Sequence, residues 1–205
     1  PPADSAFRLM LARSSMPSMR NTQPITRDFR GAVFRSSRSS PVQVGTSSWT
    51  AVAGGGYTTF AIRKDSALFA WGYNNVGQIG NGTSATGAGV SQQWSPVQIG
   101  TSSWSNISSG ASHAVAIRID GTLWAWGYNA FAQLGTLDLL NRSSPVQISV
   151  GTTNWKRVAV GGPGCYAQAG CWNFMAALKT DGTLWTWGSN AYGQLGLGNT
   201  TYYSS

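Results

Sequence analysis

The chain carries few groups able to do chemistry. It has one histidine, His113, two cysteines, Cys165 and Cys171, and six acidic residues, all aspartate. A nucleophilic triad needs an imidazole set between a nucleophile and an orienting carboxylate. His113 instead opens the run Ala114-Val115-Ala116-Ile117, which reads as a strand, and sister segments place Thr58 and Phe174 at the same site. A position that accepts His, Thr and Phe is a packing position. Asp65, Asp120 and Asp181 occupy equivalent turns, leaving Asp4, Asp28 and Asp138 too scattered for an acid–base pair. No cluster has metal-ligand spacing. Gly54-Gly55-Gly56 lacks the Lys and Ser/Thr of a phosphate loop. The expectation is no catalytic residue, no metal and no cofactor, hence no enzyme.

Charge narrows the partners. The formal charge is +8, but seven of the fourteen basic residues are Arg8, Arg13, Arg20, Arg27, Arg30, Arg35 and Arg38. Against Asp4 and Asp28 they give the first 38 residues a net +5, while residues 39–205 carry only +3. The basic character belongs to an arm, residues 1–38, which reads as extended or anchoring on an acidic neighbour. No basic stripe with interleaved aromatics crosses the remainder, so a nucleic-acid partner is not expected. No apolar run reaches the eighteen residues of a membrane span, so no membrane insertion is expected. The Arg-rich, Ser-rich, acid-poor start has the composition of an organelle transit peptide. Two cysteines are too few for a disulfide framework.

The elements are legible through repetition. Ser39-Ser40-Pro41-Val42-Gln43-Val44-Gly45-Thr46-Ser47-Ser48-Trp49 returns from Trp94 to Trp104, and again from Ser143 to Ile148 with Gly151 to Trp155. A second block, Ala61 to Gly72, returns as Ala116 to Gly127 and Ala177 to Gly188. A third, Asn74 to Gly80, returns as Asn129 to Gly135 and Asn190 to Gly196. Ten tryptophans, 26 glycines and no glutamate argue for an all-β chain rich in turns. Each unit predicts four short antiparallel strands. Pro41–Val44 is the first, Trp49–Ala53 the second, and Phe60–Arg63 with Leu68–Trp71 a hairpin. Asp120-Gly121 and Asp181-Gly182 are strong hairpin turns. Leu123-Trp124-Ala125-Trp126 and Ala114-Val115-Ala116-Ile117 do not alternate with polar residues, so both faces of the sheet are buried. That is the requirement of a propeller blade pressed between two others. Each recurring Trp, once buried, contributes about 4–6 kcal/mol as an upper figure.

The three blocks resemble the regulator-of-chromosome-condensation repeat. Asp181-Gly182-Thr183-Leu184-Trp185-Thr186-Trp187-Gly188, followed by Asn190 and Gly193-Gln194-Leu195-Gly196, is similar to its pattern almost position by position. The resemblance covers residues 39–205 and implies β-propeller blades of a seven-bladed type. Three are present, at about 39–94, 95–142 and 143–199, with residues 200–205 as the start of a fourth. A longer parent chain, or a neighbour in an assembly, is expected to cover the terminal blade faces. The near-verbatim, weakly charged copies are most similar to bacterial and phage versions of the family.

Such a fold leaves function to its loops. The third repeat inserts Pro163 to Asn173, where Cys165-Tyr166 and Cys171-Trp172 set an aromatic beside each thiol, as a disulfide or as free thiols. These four residues are candidate partner contacts, followed by the insertion Ser84 to Gln93. Tyr73, Tyr128 and Tyr192 are further candidates, with glycan as a possible ligand. The expected function is a structural or adhesive protein-binding module in a large or symmetric assembly, at a virion or cell surface rather than in the cytoplasm. A soluble regulatory propeller holding one protein partner is the alternative, and a glycan-binding module a second alternative.

Overall fold

The computed structural model describes residues 38–84, 92–162 and 173–201. The chain divides into two compact units, Pro1–Val44 and Gly45–Ser205. Of the first unit only residues 38–44 are described, and they form no strand; Arg38 among them is exposed. Arg8, Arg13, Arg20, Arg27, Arg30 and Arg35 lie outside the described residues, as do Cys165, Tyr166, Cys171 and Trp172.

In the second unit all regular structure among the described residues is strand. The order is β1 (Trp49–Gly54), β2 (Thr58–Arg63), β3 (Ala67–Tyr73), β4 (Gln92–Ser109), β5 (His113–Arg118), β6 (Leu123–Gly127), β7 (Arg142–Ile148), β8 (Trp155–Gly161), β9 (Phe174–Lys179) and β10 (Leu184–Gly188). Strands β1 to β7 pair antiparallel in sequence order, and β8, β9 and β10 form a second sheet. The 18-residue β4 serves two blades. Its first part pairs with β3, through Phe69↔Gln98 and Ala70↔Val97. Its last part pairs with β5, through Ile107↔Ala116 and Ser108↔Val115. Blade 1 is therefore β1, β2, β3 and early β4; blade 2 is late β4, β5, β6 and β7; blade 3 is β8, β9 and β10.

This architecture is the all-β propeller arrangement that the repeats imply, with one strand reassigned. The Pro-Val-Gln segment stands first in each sequence repeat but closes the sheet of the blade before it. Val97 pairs with Ala70, and Val146 pairs with Ala125. Pro41–Val44, expected as a strand, is not one. Its partner would be the hairpin of a preceding blade, and no such hairpin exists among the described residues.

Burial follows the non-alternating pattern. In β5, Ala114 and Ala116 join a cluster with Phe60, Ile62, Leu68 and Ala70 of blade 1. Their neighbours Val115 and Ile117 join another with Met175, Ala177 and Trp187 of blade 3. One strand thus feeds two cores, because successive side chains leave a strand on opposite faces. The core indoles also carry polar bonds between blades. Trp126 Nε1 donates to the Gln78 carbonyl of blade 1 at 3.1 Å, and Trp187 Nε1 donates to the Gln133 carbonyl of blade 2 at 3.1 Å. Trp104, Trp126, Trp155 and Trp187 are buried, whereas Trp49 and Trp71 are half-buried. The difference follows position, since no described blade covers the far side of blade 1. Replacing Trp126 with Ala should cost about 3–5 kcal/mol in urea denaturation. Trp94→Ala, at a site 81% exposed, should change stability by less than about 0.5 kcal/mol.

Candidate functional site

The polar side chains of each blade are committed to its own turns. Asp120 Oδ1 accepts from Thr122 N at 3.0 Å and from Thr122 Oγ1 at 2.6 Å. Thr122 Oγ1 accepts in turn from Trp124 Nε1 at 2.8 Å. Asp181, Thr183 and Trp185 repeat this relay at 2.9, 2.7 and 3.1 Å. The hydroxyl bond from each threonine holds the aspartate carboxyl below its ordinary range. Blade 1 has Ala67 where the threonine would stand, and Asp65 is bridged by Arg63 at 2.6 Å. That bond pulls the Asp65 carboxyl down to about 2. A cation also stacks on aromatics at each hairpin. Arg63 lies 4.8 Å from the Phe69 centroid, Arg118 3.5 Å from Trp124, and Lys179 4.3 Å from Trp185 and 4.8 Å from Trp155. Each such contact is worth about 0.5–1 kcal/mol where exposed.

A second device organises the loop after each hairpin. Asn74, Asn129 and Asn190 are fully buried. Each accepts at Oδ1 from the backbone N–H five residues on, at Ile79, Leu134 and Leu195. Each donates from Nδ2 to a carbonyl nine residues on, at Thr83, Asp138 and Asn199. Gln78, Gln133 and Gln194 accept from backbone N–H groups two residues earlier. Three buried amides therefore organise three loops through their own hydrogen bonds.

His113 opens β5 and is only 1% exposed. Among the described residues neither ring nitrogen has a hydrogen-bond partner, and burial alone pushes its pKa down to about 4. Room for the ring comes from a close glycine: a Cβ on Gly110 would sit 2.6 Å from His113 Cε1. Gly161 does the same for Phe174, at 2.1 Å from Cζ. Neutral and shielded from solvent, the imidazole fills space between the strands.

The tyrosine candidates are dispersed in role. Tyr73 packs edge-on to Tyr57 at 6.1 Å, and Tyr128 edge-on to Phe131 at 6.2 Å. Tyr192 is 75% exposed. Other exposed apolar side chains stand on residues that the motif reading passes over. The loop between β6 and β7 exposes Leu137, Leu139 and Leu140, and Val150 and Trp185 are exposed as well. Leu137, Val150 and Trp185 line one groove of about 420 Å³, together with Ile148, Trp155 and Trp187. Laying the repeats over one another reveals the signal: Leu137 stands where the sister loops have Gly82 and Gly198, and Ser149-Val150 is a two-residue addition before Gly151.

Comparison with known proteins adds to this geometry. The chain matches the family described as the regulator of chromosome condensation (RCC1) repeat over residues 65–117 and 120–167. A second description of the same repeat matches residues 49–78, 104–133 and 168–194. The ultraviolet-B receptor UVR8 of Arabidopsis thaliana is 29% identical over 72% of this chain and 31% of its own length. Human probable E3 ubiquitin-protein ligase HERC4 is 30% identical over 74% of this chain and 13% of its own. The chain thus spans less than a third of the length of either relative. Among solved structures, yeast RCC1 (Prp20) bound to Kap60 superposes with a TM-score of 0.61 at 21% identity, covering 76% of this chain and 36% of that one. A second structure of Prp20p from Saccharomyces cerevisiae gives the same TM-score over 37% of its chain.

His113 supplies a measurable signature of this interior. Unfolded, its imidazole protonates below about pH 6.5; folded, only below about 4. The unfolded chain binds the extra proton in that window, so stability falls as pH drops through it, by about 2 kcal/mol at pH 5. His113→Phe, which copies Phe174, should remove this slope in denaturation midpoints measured from pH 7 to 5.

Proposed function

The chain belongs to the regulator of chromosome condensation repeat family, and on that premise we propose that it is a non-enzymatic propeller module that binds other proteins through its connecting loops. The carrying observation is the division of labour within the described residues. Imidazole, carboxylates and amides are spent inside the fold, while large apolar side chains are displayed on loops. Leu139 and Leu140, each 62% exposed, gain nothing from water, and exposed apolar groupings of this kind mark protein contacts. The near-neutral body fits a protein partner better than a nucleic acid. Yeast RCC1 was seen bound to Kap60, and the second yeast structure was described with binding properties toward Gsp1p and histones. The same scaffold therefore serves protein binding in a relative.

The finer form of this reading is a component of a larger assembly. Near-identical, weakly charged blades suit repeated contacts, and the basic arm suits anchoring. The insertion at 163–173 and the arginine arm remain its proposed accessory contacts.

A photo-crosslinking amino acid at position 139 should capture a defined protein from the native source, identified by mass spectrometry. The same group at buried Ala125 should capture none. Leu139→Ser with Leu140→Ser should weaken that partner's affinity at least about ten-fold, leaving the thermal midpoint within about 2 °C. A chain that crosslinks to nothing at position 139 would overturn the proposal.

A further inference from the structure

Resting on the protein-binding reading, we infer that the cleft between blades 1 and 2 takes a carboxylate side chain, Asp or Glu, of a partner protein, held by Arg118. The three hairpins supply the comparison. Each carries a cation four residues before the position of the closing threonine: Arg63 with Ala67, Arg118 with Thr122, and Lys179 with Thr183. Blade 1 lacks the threonine, so Asp65 turns to Arg63 and neutralises it at 2.6 Å. In blade 2, Thr122 occupies Asp120 Oδ1 with both its backbone N–H and its hydroxyl. Asp120 then attracts Arg118 through space alone. Blade 3 keeps the threonine but carries a lysine, a point charge in place of a planar fork. Among the described hairpins, blade 2 alone joins an arginine to a carboxylate withheld from it.

The guanidinium is also fixed in place and short of acceptors. It lies 3.5 Å from the Trp124 centroid and 5.2 Å from that of Trp104. Trp124 is itself anchored, since its Nε1 donates to Thr122 Oγ1. An arginine stacked by its face offers its N–H edge, which a carboxylate meets with two parallel bonds. Among the described residues no group accepts from this guanidinium, and its Nε is buried without a partner. The cleft beside it encloses about 250 Å³, with Asn81 and Gln98 from blade 1, Ser102 at the crossing, and Trp104 and Ser144 from blade 2. Both flanking blades are complete here, because early β4 closes blade 1 and β7 closes blade 2. Such a volume admits one or two side chains rather than a whole peptide. Arg118 is the one charge among the described lining residues. A single cation matches a monoanionic carboxylate and leaves a dianionic phosphate half compensated. The other described carboxylates are engaged, Asp138 by Arg142 and Asp181 by Thr183. Of the remaining acids, Asp28 stands between Arg27 and Arg30 in an arm of net positive charge, a poor match for a cationic cleft.

The test is selection on the full chain from a synthetic heptapeptide library with random flanks and Glu, Gln or phosphoserine at the centre. Affinities of the enriched peptides are then measured by fluorescence polarisation. Enriched peptides should carry Glu at the centre and should weaken as salt rises. Arg118→Lys, which copies blade 3, keeps the charge but loses the fork and should lower affinity about ten-fold. Thr122→Ala, which copies blade 1, frees Asp120 to pair with Arg118 and should also lower affinity about ten-fold, although Thr122 does not line the cleft. Lys179→Gln, at the next hairpin, should leave affinity unchanged. Both blade 2 substitutions introduce a residue that a sister hairpin already carries, so thermal midpoints should hold and lost binding cannot be blamed on lost folding. Enrichment of central Gln, or of peptides indifferent to Arg118→Lys and Thr122→Ala, would remove the cleft and leave the broader protein-binding reading intact. A preference for phosphoserine overturns the carboxylate assignment. A rise in affinity on replacing Asp4 and Asp28 with Asn makes the arm the occupant and overturns the partner. A selection that enriches nothing, with a partner still captured from position 139, overturns the cleft alone. An empty selection with no capture sinks both.

Discussion

Everything in the second unit depends on a sheet that is apolar on both faces. Strand β5 shows the constraint at its sharpest: Ala114 and Ala116 are fully buried toward blade 1, and Val115 and Ile117 toward blade 3. A blade of this kind has no stable existence alone, because half its apolar surface meets water until a neighbour arrives. The indoles convert that general pressure into a fixed register. Trp126 and Trp187 each reach the loop of the preceding blade and donate to the carbonyl of an equivalent glutamine. Apolar area supplies the drive, and these bonds, with others such as Val158 N to Asn106 Oδ1 and Val160 N to Ser108 Oγ at the second junction, set where the blades stop sliding.

The polar residues are organised around the same need. A loop that crosses the end of a blade leaves backbone groups that must be satisfied without water. One buried asparagine per repeat meets this by bonding to positions five and nine residues ahead. One Asp-Thr pair closes each of the second and third hairpins and hands its hydroxyl to an indole. These arrangements use up the residues that elsewhere do chemistry. His113 belongs to the same economy: its ring occupies the hollow beside Gly110 that Phe174 occupies beside Gly161.

How far the sequence could be read depends on which property each residue serves. The hairpins at Phe60–Trp71, Ala114–Trp126 and Phe174–Trp187 are visible because packing on both faces removes alternation and Asp-Gly marks two of the turns. Membership of the Pro-Val-Gln strand is not visible, since hydrogen bonding across a sheet leaves no trace in repeat order. Val97 belongs with Ala70 although a repeat boundary separates them. The sharing of β4 between two blades is hidden for the same reason. Motif reasoning favoured Tyr73, Tyr128 and the cysteine loop because aromatic and thiol groups draw attention. Leu137 and Val150 lie in no motif. They stand out only as differences between copies, once the structure gives those positions a common surface.

That contrast bears on where novelty can arise in a repeated fold. A change at Trp126 or Leu123 disturbs a junction on which two blades rely, so blade faces stay alike. Loop positions answer only to local backbone geometry, and glycine at Gly82 and Gly198 satisfies it at no steric cost. Leucine at position 137 gives up that ease and also places an apolar side chain in water. In the sister copy this loop leans on the strand that closes the next blade, Gly82 N donating to the Ser143 carbonyl at 2.8 Å; the matching position beside Leu137, residue 204, lies outside the described residues. A substitution at such a position is read against the strand of the next blade that its loop would meet.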